Sequence, residues 1–355
     1  MDNNKVYIPT SSPGILLNER DRGILTRLIQ LYILNANPVG SGSLSNFLQD
    51  KIKLSPATIR NVMSNLEELE LITHLHTSAG RIPTDKGYRF YVDSLMKKKS
   101  LSTVEIQTVN DRLGSLAADN DIYKEASKIL GILSGCLGIV ELPHFTEYSV
   151  VKFDVISLSS ERILIVLALD SDKIKTLTLE TTFVHDEKNI FYIKNFINER
   201  ISGRTLKFIR DNFADLINDF NLKDSPLIRL FVESVDTIFN VSPKGDKLHL
   251  AGSKKLLDNP EFEDLDRFRG IIELIENEDI IVHLLDKAEL SVGDTKVYIG
   301  KELNNEMFDD YSLIISPYNV GSANGSIGLI GPKRMNYSKM IALINHISEY
   351  ITFKH

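Results

Sequence analysis

Ala57, Thr58, Arg60, Asn61, Ser64 and Asn65 fall on one side of a stretch, Leu54 to Leu69, that reads as a short helix. At about 100° per residue, Thr58 and Asn65 sit at the edges of that side. The set is small side chains, hydroxyls, amides and one guanidinium. Such groups can enter a groove and hydrogen-bond to base edges. A merely solvated helix face is more often filled with Glu and Lys, and the plainer alternative is a surface helix rich in Asn and Ser. Ser55 is a good N-cap, because its hydroxyl can accept from an orphan N–H of the first turn. Pro56 suits the first helical position. Ile59, Val62, Met63, Leu66 and Leu69 make the opposite, apolar stripe.

The elements around this helix must aim it. Asn18 can cap a helix running to about Leu34, with Ile24, Leu25, Leu28, Leu31 and Tyr32 inward. Asn35 to Pro38 ends it, and Val39 to Ser43 is a turn. Ser41 or Ser43 can cap a second short helix holding Leu44, Phe47 and Leu48. Helix, short helix, turn and capped third helix is the helix-turn-helix arrangement, whose last helix lies in the major groove. Leu71–His76 and Arg81–Thr84 read as two strands joined by Thr77–Gly80. They form either a plain polar hairpin or the wing of a winged-helix domain. His76, Thr77, Ser78 and Arg81 cluster near its tip. Ser41, Ser43, His76, Ser78, Arg81, Lys86 and Arg89 are candidate contacts to phosphate, which would fix position on a duplex without reading sequence. Thr84 caps a helix through Tyr88, Tyr91, Val92 and Leu95, and Lys97–Ser100 reads as a solvated linker. Residues 1–96 thus form one domain.

The charge distribution agrees with this. Residues 1–100 carry 13 basic and 9 acidic side chains, or +4, within a chain of net charge −7, so the rest carries −11. A positive head on an acidic body suits a protein that meets a polyanion with one end. The single cysteine, Cys136, lies among apolar neighbours and reads as a buried thiol. The eight histidines lack metal-ligand spacing, and the phosphate-binding Gly-rich loops and the G-x-S-x-G elbow are absent. No metal, cofactor or catalytic set is therefore expected. No apolar run approaches the ~20 residues of a bilayer span, which leads us to expect a cytoplasmic protein without membrane contact.

The remaining residues read as α+β. Leu101–Leu133 is helical in pattern, with Val104, Leu113, Leu116, Ile122, Ala126, Ile129, Leu130 and Leu133 inward. Ser134–Pro143 reads as a tight apolar turn. Strands follow at 149–158, 162–170 and 173–180, and again at 296–299, 312–316 and 326–330. Helical stripes at 189–201, 226–239 and 262–275 separate the two strand sets and read as an insertion. A last helix carries Tyr337, Met340, Ile341, Ile344, Ile347 and Ile351 on one face. Lys333 and Arg334, just before it, read as interface contacts or as a phosphate cradle.

Five segments carry a family resemblance. P-V-G-S at 38–41, S-P-A-T-I-R-N at 55–61 and H-T-S-A-G-R-I-P-T-D-K-G-Y-R-F-Y-V-D at 76–93 resemble the N-terminal domain of HrcA, the heat-inducible transcription repressors of bacteria. A-G-S-K-K-L-L-D-N-P-E-F at 251–262 and I-G-L-I-G-P-K-R-M-N-Y at 327–337 look like that family's body motifs. The resemblance implies a GAF-like body interrupted by a mostly helical inserted dimerising domain. The expected limits are 1–96 for the winged helix, 97–189 and 263–355 for the GAF-like parts, and 190–262 for the insertion. It also implies a homodimer on an inverted-repeat operator, CIRCE, upstream of chaperone operons, with activity modulated by heat and by the chaperonin. The alternative is a winged-helix factor whose GAF-like body binds a metabolite. One departure stands out: where the family commonly has a glycine after the third helix, this chain has Glu70. A left-handed helix end is cheap for glycine, so the turn into the wing is expected to be strained or differently shaped.

Overall fold

The computed structural model describes residues 15–48, 54–74, 80–116, 119–143, 147–170, 174–183, 186–218, 225–239, 248–287 and 294–354. Backbone contacts divide the chain into two compact units. The first comprises 1–141, 248–317 and 326–350, and the second 142–247, 318–325 and 351–355.

The first unit begins with the head. Helices α1 (Glu19–Asn35), α2 (Ser41–Leu48) and α3 (Pro56–Glu68) are followed by strands β1 (Ile72–His74) and β2 (Arg81–Pro83), paired antiparallel with Thr73 opposite Ile82. Helix α4 (Asp85–Phe90) then runs into a π-helical turn, Tyr91–Leu95. Three of the expected caps are present: Asn18 Oδ1 accepts from the Asp21 N–H at 2.9 Å, Ser55 Oγ from Thr58 at 3.1 Å and Thr84 Oγ1 from Gly87 at 3.0 Å. Each such cap is worth about 1 kcal/mol. Ile24, Leu25, Leu28, Leu44, Ile59, Val62, Leu66 and Tyr88 form the core of the head.

In the body of this unit, α5 (Thr103–Gly114) and α6 (Asp119–Ser134) replace the single helix expected over 101–133. Val104 points outward, 71% exposed, because α5 starts only at Thr103 and buries Val109 and Leu113 instead. The expected turn at 134–143 is a strand, β3 (Leu137–Glu141), buried along its whole length. A strand covered on both faces loses the alternating pattern that would reveal it.

Three strands then belong to the second unit: β4 (Val150–Ser159), β5 (Arg162–Leu169) and β6 (Ile174–Glu180). They form an antiparallel meander in the order β4-β5-β6. Helices α7 (Glu187–Ile201), α8 (Leu206–Leu216), α9 (Pro226–Glu233) and α10 (Val235–Phe239) complete that unit. Its core includes Ile163, Ile165 and Leu167 from β5, Ile193 and Ile197 from α7, and a ring cluster. In that cluster Phe153 lies 5.7 Å from Phe231 and Phe213 lies 5.2 Å from Phe239. By backbone contacts the second unit takes in 142–247, and the chain rejoins the first unit at 248. Among the described residues the strands of 150–180 form a sheet of their own, separate from β3, and β4 packs on α7.

Back in the first unit come β7 (Leu248–Ala251), α11 (Ser253–Leu257), α12 (Leu265–Glu276), α13 (Glu278–Lys287) and β8 (Lys296–Ile299). The hairpin β9 (Tyr311–Val320) and β10 (Ala323–Pro332) and the helix α14 (Tyr337–Lys354) close the chain. The five-stranded sheet has the order β7-β3-β10-β9-β8. Leu137, Ile139, Leu313, Ile315 and Ile330 share one core cluster with Ile271 and Leu274 of α12 and Ile281 and Leu285 of α13. On β3, Gly138 admits α6 so closely that a Cβ would lie 2.4 Å from the Ser127 carbonyl. No helix among the described residues is long and apolar enough to cross a membrane.

Candidate nucleic-acid interface

The third helix presents the face that its sequence promised. Ile59, Val62, Met63 and Leu66 are buried, whereas Ala57, Arg60, Asn61, Ser64 and Asn65 are exposed. Among the described residues no carboxylate pairs with Arg60, and its guanidinium is available for a bidentate contact. Thr58 is half-buried, its hydroxyl 2.9 Å from Ser55 Oγ in the cap, so it serves the helix start first. The Ser64 hydroxyl donates to the Arg60 carbonyl at 3.1 Å, a local bond that still leaves its lone pairs outward.

Behind this helix the chain turns sharply. Glu70 has φ +60°, its N–H bonds to the Glu67 carbonyl at 2.9 Å, and the Leu71 N–H reaches the Leu66 carbonyl at 2.9 Å. These paired bonds make a Schellman end, with Glu70 where glycine is the usual occupant. A left-handed conformation costs a residue with a Cβ roughly 1–2 kcal/mol. The compensating ion pair, Glu70 with Lys86 at 3.0 Å, is exposed at 78% and 39%, and such surface pairs contribute about 0–1 kcal/mol. Glu70→Gly relieves that strain at the expense of glycine entropy and the ion pair, and is therefore expected to stabilise the chain by about 0.5 kcal/mol and so to raise its thermal midpoint. A midpoint equal to or below that of the parent in a melting experiment would show that the turn is unstrained.

The wing is tied to the helix it follows. Arg81 Nε pairs with Glu67 Oε2 at 2.8 Å, and the His74 ring contacts the other Glu67 oxygen. Burial raises the Glu67 pKa, but the hydrogen bonds from His74 and Arg81 outweigh it and hold the carboxyl below its usual range. Arg81 also exchanges two backbone bonds of 2.9 Å with Val39, which ties the wing to the turn before α2. Gly80 permits this approach, since a Cβ there would lie 2.6 Å from the Val39 carbonyl carbon. Ser41 and Ser43 open α2 beside that bridge, with Ser43 exposed. His76 and Ser78 lie outside the described residues.

Arg89 does not belong to this surface. It is 6% exposed, and its guanidinium donates to Glu302, to Asp93 Oδ1 at 3.2 Å and to the Val297 carbonyl at 2.5 Å. It faces inward because its helix, α4, packs against β8. Lys333 and Arg334 prove to be further joints between head and body. Lys333 Nζ pairs with Asp85 at 2.7 Å, while Arg334 pairs with Glu261 and donates to the Ile33 carbonyl at 2.6 Å. The acidic partners Glu67, Glu261 and Glu302 escaped the sequence reading. Only Glu67 left a signal there, being a carboxylate at the end of the exposed helix shortly before the basic wing.

The exposed face, its cap and its wing all fall within residues 16–95, which match a family model described as a winged helix-turn-helix transcription repressor, HrcA DNA-binding. Residues 120–341 match the HrcA protein C terminal domain. The chain belongs to the HrcA family. Family members are heat-inducible transcription repressors, which bind DNA and carry no enzymatic activity. The heat-inducible transcription repressor HrcA of Chlorobium phaeobacteroides (strain BS1) is 34% identical over 346 residues, covering 95% of this chain and 97% of that protein. The HrcA of Chlorobium chlorochromatii (strain CaD3) is 34% identical over 335 residues, covering 94% and 95%. A crystal structure titled as that of a hypothetical protein superposes with a TM-score of 0.61 at 25% identity, over 96% of this chain and all of the other. The α+β architecture with an N-terminal winged helix and a GAF-like body is thus the HrcA architecture.

Proposed function

We propose that this HrcA chain represses chaperone operons by binding the inverted repeat CIRCE as a homodimer, with α3 of each copy in a major groove. The observation that carries this reading is the exposed row Ala57, Arg60, Asn61 and Ser64 on a capped helix beside a wing. Arg60 and Asn61 read base edges, helped by Ala57, Thr58 and Ser64, while Ser41, Ser43, His76, Ser78, Arg81 and Lys86 hold phosphates. A single winged helix reads few base pairs, and two-fold pairing reads both arms of a palindrome. The second unit supplies the surface for that pairing. On the side of its sheet opposite the core, Ile156 is 46% exposed and Ile174 69%, and both flank Leu164, Val166 and Ala168 of β5. Heat relieves repression when unfolded clients draw the chaperonin away from the repressor, and all of this takes place in the cytoplasm.

Footprinting on the chaperone promoters of the source genome tests the reading. Two equal protected arms related by a dyad are expected, with protection after heating restored by added chaperonin. Protection of a single arm, or recovery that is the same without chaperonin, overturns the dimeric or the chaperonin part respectively.

A further inference from the structure

DNA reading leaves one cleft of the first unit unused. It runs along α1 and holds ≈ 570 Å³, within the size range of small-molecule sites. Its walls carry three cations, Arg27, Lys97 and Lys99, and no carboxylate, in a chain whose net charge is −7. The backbone of the two lysines is fixed: Ser338 Oγ donates to the Lys97 carbonyl and accepts from the Lys99 N–H, both at 2.8 Å. Both lysines are exposed, and among the described residues neither has an acidic partner. Arg27 donates to Gln30 Oε1 at 2.9 Å and stands 5.8 Å from the centroid of the Phe47 ring, itself 43% exposed. Tyr91 adds a second ring to the lining, and Gln30 and Asn336 add two side-chain amides.

Each part narrows the ligand. Unpaired ammonium groups favour an anion rich in oxygen, such as phosphate. The open face of Phe47 favours a flat ring, which Arg27 can also cover. Amides suit the donor and acceptor edge of a heterocycle. A fatty acid offers the Phe47 ring no flat partner, and free phosphate would leave that ring in water. We infer that the cleft binds a nucleoside phosphate, with its base against Phe47 and its phosphates on Lys97 and Lys99.

Isothermal titration calorimetry of the full chain with ADP, in the absence of operator, is the test. Adenosine and pyrophosphate run as separate arms, beside a K97E/K99E double variant and Phe47→Ala. ADP is expected to bind with a Kd on the order of 10–100 μM, and adenosine and pyrophosphate each at least tenfold more weakly. K97E/K99E should weaken ADP at least tenfold, with an unchanged circular dichroism spectrum, since both side chains are exposed. Phe47→Ala should weaken ADP and leave pyrophosphate unaffected. Absence of heat with ADP overturns the inference, and so does ADP binding that is equal in K97E/K99E. Adenosine or pyrophosphate binding as tightly as ADP overturns the assignment to a nucleoside phosphate.

Discussion

Arg60→Ala is expected to weaken operator binding by roughly five- to 150-fold per recognised arm, the equivalent of about 1–3 kcal/mol for a bidentate contact with guanine. The residue is exposed in the middle of α3, has no carboxylate partner among the described residues, and lies across the helix from the buried Val62. Its removal should therefore leave the fold and the melting temperature unchanged. In a dimer both arms lose the contact, so the effect is felt twice. The salt dependence distinguishes its role. A base contact costs specificity and leaves the slope of affinity against salt nearly intact, whereas a phosphate contact lowers that slope by about one ion. Gel-shift titrations at two salt concentrations, on operator and on scrambled DNA, read both quantities. Equal losses on the two DNAs would move Arg60 to the phosphate group, and no loss would remove it from the interface.

The helix carrying Arg60 was legible in the sequence because its start, its stripe and its polar face are all local. Ser55, Pro56 and the spacing of Ile59, Val62, Met63 and Leu66 determine it without reference to the rest of the fold. The same holds for Asn18 and Thr84, whose caps are present. Glu70 was legible in a subtler way: a departure at one glycine position pointed to a turn either strained or reshaped, and the structure keeps the left-handed turn, with φ +60° there. What escaped was non-local. The strand β3 is buried on both faces, so its apolar run resembles a turn between helices as much as a strand. Strands of 150–180 look alike in sequence whether they join one sheet or another. Lys333 and Arg334 could be named as contact residues, but their partners Asp85 and Glu261 lie 248 and 73 positions away.

The same distance hid the role of Arg89, and its substitution gives the sharpest contrast with Arg60. Arg89→Ala is expected to destabilise the chain by about 3 kcal/mol, the lower end of the cost of breaking a buried pair, since Glu302 keeps 30% of its side chain exposed. Three acceptors lose their donor at once: Glu302, Asp93 and the Val297 carbonyl. Lysine should recover little of this, because one ammonium cannot span two carboxylates and a carbonyl as the planar fork does. The pH dependence carries a sign. Burial holds the Asp93 carboxyl above its usual range even though Arg89 pulls it down. Without Arg89 that carboxyl rises further, so its ionised form weighs against the folded state at neutral pH, and protonation relieves it. The gap between parent and variant should narrow as the pH falls through the titration range of Asp93. Urea denaturation at a series of pH values measures this directly. Operator binding by the folded fraction should be nearly unchanged, whereas a variant as stable as the parent that no longer binds operator would return Arg89 to the DNA surface.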